Sequence, residues 1–184
     1  MPLKRLTKAD ILAGLRELGR LAEAEGISLE VALYGGAVMM LAYDARPSTK
    51  DVDAIIRPPE IAKRLAARVA ERFGWAEDWL NDDVRLFVSG TETKLKWNLP
   101  GLDSPALKFS RPTAKYLLAM KVMACRRPLP GYPGDEGDIA FLLKKMGIAE
   151  VATVEEIVNQ YIPDTVLSAA TVRTLENLLA REKP

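Results

Sequence analysis

Tyr34-Gly35-Gly36, followed after fourteen residues by Asp51-Val52-Asp53-Ala54-Ile55-Ile56, is the stretch of sequence that decides the predicted fold. Two glycines end an apolar run, a helix-like segment follows them, and a pair of carboxylates then opens a second apolar run. Side chains on a β-strand alternate between its two faces. Asp51 and Asp53 are therefore predicted on one face of this strand, and the apolar side chains between and after them on the other.

The two carboxylates predict a cation site. Like charges side by side oppose each other and are costly to bury without a counter-charge. Mg²⁺, or Mn²⁺ in the same role, suits such a pair because a hard cation takes carboxylate oxygens together with substrate phosphates. The alternative is that Asp51 and Asp53 are surface acids that cap a turn, with Asp51 paired to Lys50.

The residues around this stretch predict alternating strands and helices. Residues 29–34 predict a buried strand, and residues 36–43 a buried helix whose free N–H groups are a usual place for a phosphate. Residues 45–50 are a polar turn, residues 51–57 are the second strand, and Pro58-Pro59 ends that strand and starts a helix.

The rest of the chain divides into a strand-containing part and a helical part. A helix with a capping-box pattern at Thr7 and Asp10 is predicted to run to Gly26. Short strands are predicted at Val84–Val88, Leu95–Leu99 and Ala106–Phe109, and helices at 113–127, 135–146, 153–161 and 168–181. The predicted class is α/β (α+β), with a mixed β-sheet flanked by helices over residues 1–110. Residues 111–184 are a C-terminal helical segment that is expected to close one side of a cleft.

Composition limits the chemistry that the chain can perform. Of 184 residues, 48% are hydrophobic and 28% are charged, as in ordinary globular proteins. The net charge of +1 gives the chain no overall basic field that would indicate nucleic-acid binding. The absence of histidine excludes Ser-His-Asp and Cys-His catalysis. A single cysteine, Cys125, fits a reducing cytoplasm, and no apolar run is long enough for a membrane span.

The glycine pair followed by Asp51-Val52-Asp53 resembles the signature of the nucleotidyltransferase superfamily. That signature is a Gly-Gly or Gly-Ser turn, a spacer, and Asp-x-Asp on the next strand. The resemblance implies a small nucleotidyltransferase core in which Gly35 and Gly36 form the turn and Asp51 and Asp53 hold the metal.

A second resemblance lies in the helical half. Lys121 within Leu117-Leu118-Ala119-Met120-Lys121, then arginines, a loop and Asp135-Glu136-Gly137-Asp138, is similar to the C-terminal half of the AbiEii-like nucleotidyltransferases. These include toxins of toxin–antitoxin systems. Trp79-Leu80-Asn81-Asp82 further resembles the short relatives grouped under the name DUF6036. The likeness covers roughly residues 30–145.

The resemblance implies roles for further residues. Thr49, Lys50 and Lys121 match positions beside the nucleotide phosphates, and Asp135 or Asp138 matches a distal acid. Asp135 would add a metal ligand, and Asp138 and Lys121 would act with Asp51 and Asp53 in catalysis. From the residues alone, Lys121 either carries its ammonium to water, pairs with Asp135 or Asp138, or faces the nucleotide.

The implied activity is metal-dependent transfer of a nucleoside monophosphate from a nucleoside triphosphate (NTP) to an acceptor hydroxyl. The acceptor would be RNA, such as tRNA, or a protein, and a partner antitoxin protein is implied if the chain is a toxin. The alternatives are a catalytically silent nucleotide-binding relative, a nontoxic nucleotidyltransferase that modifies proteins, and a helical interaction protein without catalysis in which the Asp pair is only a cap.

Two features depart from the family pattern. Many of these proteins carry a basic residue directly before the distal Asp-x-x-Asp, where this chain has Pro133-Gly134. The superfamily also places a third carboxylate on a later core strand, for which Glu92 and Asp103 are poor candidates.

Overall fold

The computed structural model describes residues 5–92, 94–130 and 132–181. Within these ranges the chain forms seven α-helices, a five-stranded mixed sheet and a two-stranded sheet, with 53% of residues in helices and 16% in strands. The mixed α/β class with a mixed sheet and flanking helices, predicted from the sequence, is confirmed.

The strands are β1 (Leu6–Thr7), β2 (Leu29–Leu33), β3 (Ser48–Thr49), β4 (Val52–Arg57), β5 (Leu80–Asn81), β6 (Lys94–Lys96) and β7 (Leu107–Pro112). The helices are α1 (Lys8–Ala24), α2 (Gly35–Leu41), α3 (Pro59–Phe73), α4 (Ala114–Ala124), α5 (Glu136–Met146), α6 (Val151–Tyr161) and α7 (Ala169–Arg181). Two short 3-10 helices cover Glu77–Trp79 and Asp83–Phe87.

The described residues fall into two compact units. The first comprises the chain up to Val88 together with Lys94–Arg111, and it contains both sheets and helices α1 to α3. The second begins with the short segment at Ser89, continues from Pro112 onward, and contains helices α4 to α7.

The five-stranded sheet has the order β5-β4-β2-β7-β6. Its central strand β2 pairs antiparallel with β4 and parallel with β7, and β5 pairs parallel with β4. Burial alternates along β4. Val52, Ala54 and Ile56 are buried, whereas Asp53 and Ile55 are partly exposed. The period-two pattern thus places one face of β4 in the hydrophobic core and leaves the other accessible to water.

Helix α1 begins where the sequence predicts. The Thr7 side chain accepts a hydrogen bond from the Asp10 backbone N–H, and the Asp10 carboxylate accepts one from the Thr7 backbone N–H. This reciprocal capping box satisfies two N–H groups that the helix itself leaves without partners. The buried side of α1 carries Ile11, Leu15 and Leu18.

The strand prediction is wrong for Val84–Val88. These residues lie largely in the 3-10 helix Asp83–Phe87, in which Leu86 and Phe87 are 87% and 71% exposed. The prediction of a strand over Leu95–Leu99 overlaps β6 only at its start, because β6 ends at Lys96. No helix among the described residues is long and apolar enough to cross a membrane.

Candidate functional site

The turn at Gly35 and Gly36 lies beside the start of β4. Strand β2 ends at Leu33, which pairs with Ala54, and α2 begins at Gly35. The buried Tyr34 between them donates its backbone N–H to the carbonyl oxygen of Asp53 at 2.9 Å. Antiparallel pairing of β2 and β4 therefore brings the end of one strand and the start of the other to the same edge of the sheet.

Gly35 is in direct contact with the carboxylate of Asp53. The φ angle of Gly35 is +56°, a conformation that residues with a side chain rarely adopt. A Cβ atom at this position would overlap with Oδ2 of Asp53. Glycine is therefore favoured at this position for two reasons. The backbone is left-handed, and the Asp53 carboxylate occupies the space that a side chain would fill.

Gly36 is in contact with the segment that precedes β4. A Cβ at this glycine would lie 2.5 Å from Oγ1 of Thr49 and 3.1 Å from Nη1 of Arg46. Thr49 is only 6% exposed, so its side chain is buried beside the turn. The structure thus brings together Gly35 with Asp53 and Gly36 with Thr49, four of the residues that the sequence assigns to the site.

Arg46 was not identified as a site residue from the sequence. It lies in the polar turn between α2 and β3, and its contact with Gly36 depends on how that turn folds back. The sequence feature that could identify Arg46 is its position between the glycine pair and the carboxylate pair.

Asp51 is the residue immediately before β4, and its side chain is 28% exposed. Lys50 Nζ lies 3.8 Å from Asp51 Oδ2, and the Lys50 side chain is 57% exposed. An exposed pair at this distance contributes little to stability. Asp51 and Asp53 are both partly exposed on either side of the buried Val52, as two residues on the accessible face of a strand would be.

Strand β7 carries no acidic residue. Ala32 pairs with Ile55 on one side and with Ser110 on the other, and directly paired residues share a face of the sheet. Ser110 is therefore a β7 residue on the same face as Asp53, and it carries a hydroxyl rather than a carboxylate. Neither Glu92 nor Asp103 lies in a strand of the sheet.

Asp51 and Asp53 are the residues beside the turn that could hold a divalent cation. Among the described residues, no group of three or more Asp, Glu or Cys side chains is arranged to hold a metal ion. Mg²⁺ commonly uses only one or two protein carboxylates and completes its shell with water and substrate phosphates. The partly exposed Asp51 and Asp53 match that donor set.

The remaining predicted site residues, Lys121, Asp135 and Asp138, belong to the second unit and form a buried ionic cluster. Lys121 is 4% exposed, and its Nζ lies 2.8 Å from Asp135 Oδ1 and 2.8 Å from Asp138 Oδ2. The cluster joins α4, which carries Lys121, to the start of α5. Of the three routes open to Lys121 from the sequence, pairing with both aspartates is the one observed.

Asp135 is fully buried and saturated with hydrogen-bond donors. The backbone N–H and the Nε of Arg126 each donate to its Oδ2 at 3.0 Å, and the Tyr132 hydroxyl donates to Oδ1 at 3.2 Å. Burial by itself would raise the pKa of Asp135. The charge of Lys121 and the hydrogen bonds from Arg126 and Lys121 outweigh burial and lower this pKa to about 2.

The charges of this cluster balance internally, since Lys121 and Arg126 face Asp135 and Asp138. A metal at Asp135 would have to displace donors that already occupy both carboxylate oxygens. The contacts give these residues a structural role in the second unit, and the metal and catalytic roles implied by the resemblance stay predictions.

Neither a protein-family model, nor a curated protein, nor a solved structure matches this chain.

Proposed function

We propose that the first unit binds an NTP with Mg²⁺ or Mn²⁺ at the Gly35-Gly36 turn and transfers its nucleoside monophosphate to an acceptor hydroxyl, releasing pyrophosphate. The observation that supports this proposal is the contact of the Asp53 carboxylate with Gly35. It joins a strand–glycine turn–helix unit to an aspartate pair at one edge of the sheet. A phosphate chain bound at the turn would then be adjacent to the metal ligands.

Each residue at the turn has a definite task in this proposal. Asp51 and Asp53 hold the cation, and the cation when bound supplies charge neutralisation of the phosphates and activation of the acceptor oxygen. The glycines leave the backbone open to phosphate oxygens. Thr49 and Lys50 offer a hydroxyl and an ammonium group nearby. Catalysis of this kind consists mainly of positioning and electrostatic stabilisation.

Lys121, Asp135 and Asp138 are assigned to the same activity by the family resemblance. In that role Lys121 complements the triphosphate and one of the two aspartates is the distal acid. Their observed ion pairs support stabilisation of the second unit instead.

The partners follow from the same activity. The acceptor is an RNA, such as a tRNA, or a protein, and the reaction takes place in the cytoplasm where NTPs and Mg²⁺ are abundant. If the transfer is toxic to the cell, the chain is the toxin of a toxin–antitoxin pair and has a cognate antitoxin protein.

The absence of an acidic residue on β7 favours a second candidate function, a nucleotide-binding protein that does not catalyse transfer. Two carboxylates suffice to hold one metal–nucleotide complex, whereas a two-metal clamp on the transferred phosphorus needs further ligands.

One experiment separates the two functions. The purified chain is incubated with Mg²⁺ and each of four NTPs labelled on the α-phosphate, with total RNA or total protein as acceptor. In parallel, Mg²⁺-dependent binding of the same NTPs is measured by calorimetry. Asp53→Asn is the test variant, and Asp78→Asn, which removes an exposed carboxylate of the first unit, is its control.

The enzyme is supported by label transfer that Asp53→Asn abolishes and Asp78→Asn retains. The silent relative is supported by Mg²⁺-dependent binding without transfer. The absence of both binding and transfer for every NTP would reject both functions.

A further inference from the structure

The guanidinium group of Arg46 lies against the glycine turn. Its Nη1 would be 3.1 Å from a Cβ at Gly36, and Arg46 is only partly exposed. The neighbouring Gly35 is in contact with the Asp53 carboxylate instead. Within two consecutive residues, the turn therefore has a carboxylate against one glycine and a guanidinium against the next.

The loop that carries Arg46 is held by hydrogen bonds and an ion pair at both of its ends. At the first end, Lys8 Nζ pairs with Asp44 Oδ1 at 3.2 Å and the Ala45 N–H donates to the carbonyl of Met39 at 2.9 Å. At the second end, β3 pairs antiparallel with β1, and Arg5 Nε donates to Ser48 Oγ at 2.9 Å. Arg46 thus lies in a loop that contacts residues 5–8 at both of its ends.

A guanidinium is the side chain best suited to bind phosphate in a defined orientation. It is always charged, and its planar fork can donate two parallel hydrogen bonds to phosphate oxygens. An NTP carries more negative charge than one divalent cation neutralises, so a further cationic group against the adjacent glycine, Gly36, is complementary to the phosphate chain.

We propose that Arg46 binds the phosphate chain of the nucleotide and makes the site selective for triphosphates over monophosphates. This inference rests on the proposed function of the same turn. Arg46 also interacts with other residues of the chain in this structure, so the guanidinium must exchange part of those interactions for phosphate oxygens when the nucleotide binds.

The test measures displacement of a fluorescent ATP analogue in the presence of Mg²⁺, with ATP, AMP and inorganic tripolyphosphate as competitors. The variants are Arg46→Met, which removes the charge, and Arg46→Lys, which keeps the charge and removes the fork. Arg173→Met, which removes an exposed arginine of α7, is the matched control for net charge. Thermal unfolding of each variant is recorded beside the binding data.

We expect both Arg46 variants to lose ATP and tripolyphosphate affinity by ~10-fold or more, because charge-assisted hydrogen bonds are among the strongest in proteins. AMP affinity should change far less, and Arg173→Met should bind like the unaltered chain. If Arg46→Met does not fold, the affinities of Arg46→Lys for ATP, tripolyphosphate and AMP decide the test.

The outcomes separate this inference from the function on which it rests. Binding by the unaltered chain that is lost in Asp53→Asn but retained in both Arg46 variants would reject the role of Arg46 alone. Equal losses for ATP and AMP in the Arg46 variants would also reject it. Absence of Mg²⁺-dependent binding by the unaltered chain would reject both the inference and the proposed function.

Discussion

The carboxylate of Asp53 occupies the space that a side chain at Gly35 would fill. This contact links the two halves of the sequence motif, since Gly35 is the first residue of α2 and Asp53 lies in β4. The contact joins the glycine turn to the strand that carries Asp53, so substitutions at the turn should affect stability and, under the proposed function, nucleotide binding together.

Gly35→Ala should destabilise the chain more than Gly26→Ala does. Both glycines have positive φ angles, +56° and +67°, but only Gly35 has an atom of another residue in the space of its missing side chain. Each variant should lose ~1 kcal/mol or more of unfolding free energy for the left-handed backbone. Gly35→Ala should lose a further ~1–3 kcal/mol because Asp53 must move.

Urea denaturation of both variants measures this difference. Equal losses of unfolding free energy in Gly35→Ala and Gly26→Ala would contradict the prediction, because they would mean that displacing Asp53 does not destabilise the chain.

Gly36→Ala and Gly137→Ala should change stability in opposite directions. Gly137 lies in α5 with open space around it, so an alanine there should add up to ~1 kcal/mol through helix propensity. At Gly36 the new methyl group would meet Thr49 and Arg46, and the strain should exceed the gain in propensity. Thermal unfolding of the pair checks the prediction, which a stabilised Gly36→Ala would contradict.

Lys121→Met should destabilise the chain by ~3–5 kcal/mol, because it leaves Asp135 and Asp138 buried without their shared cation. The control is Arg85→Met, which removes an exposed pair with Asp82 and should cost less than ~1 kcal/mol. Chemical denaturation compares the two. A loss below ~1 kcal/mol in Lys121→Met would mean that the cluster does not stabilise the second unit.

Stability should fall as the pH is lowered from about 4 to about 2. The pKa of Asp135 is lower in the folded chain than its unperturbed value of 3.8, so the folded state favours the charged carboxylate. Asp135 contributes ~2 kcal/mol to the free energy of unfolding when the pH is above its pKa in the unfolded chain. This contribution is lost as the pH falls through its pKa in the folded chain. Glu17, whose pKa is lowered by its hydrogen bond to Arg20, contributes in the same direction.

The free energy of unfolding measured between pH 5 and pH 2 tests this contribution. Asp135→Asn should show a shallower pH dependence than the unaltered chain, whereas Asp103→Asn, which changes an exposed carboxylate, should retain the original slope. Identical slopes in Asp135→Asn and the unaltered chain would exclude Asp135 as the source.

The fold near the turn was predictable because local signals agree there. The glycines mark the turn, the alternation after Asp51 marks the strand, and Pro59 marks the first residue of α3. By contrast, the mostly apolar residues Val84–Val88 lie largely in a 3-10 helix, because a short apolar run does not by itself distinguish a strand from a helix.

The contacts of the site were harder to predict than its residues. A polar turn was predicted at residues 45–50, but which of its side chains touches Gly36 depends on the pairing of β1 with β3. Both strands have only two residues, too few for a periodic signal. Similarly, the sequence leaves open whether Lys121 reaches water, an aspartate or the nucleotide, because its pairing with both Asp135 and Asp138 is set by the packing of α4 against α5.

The central claim is that the Gly35-Gly36 turn and the Asp51/Asp53 pair bind a metal–nucleotide complex. The most direct test is a two-dimensional amide NMR spectrum of nitrogen-labelled protein titrated with Mg²⁺ and ATP, and then with small amounts of paramagnetic Mn²⁺. We predict that the amide signals of Gly35, Gly36 and Asp53 shift with Mg²⁺–ATP and are the first to broaden with Mn²⁺. Unchanged signals at these residues, or changes confined to other parts of the chain, would contradict the account.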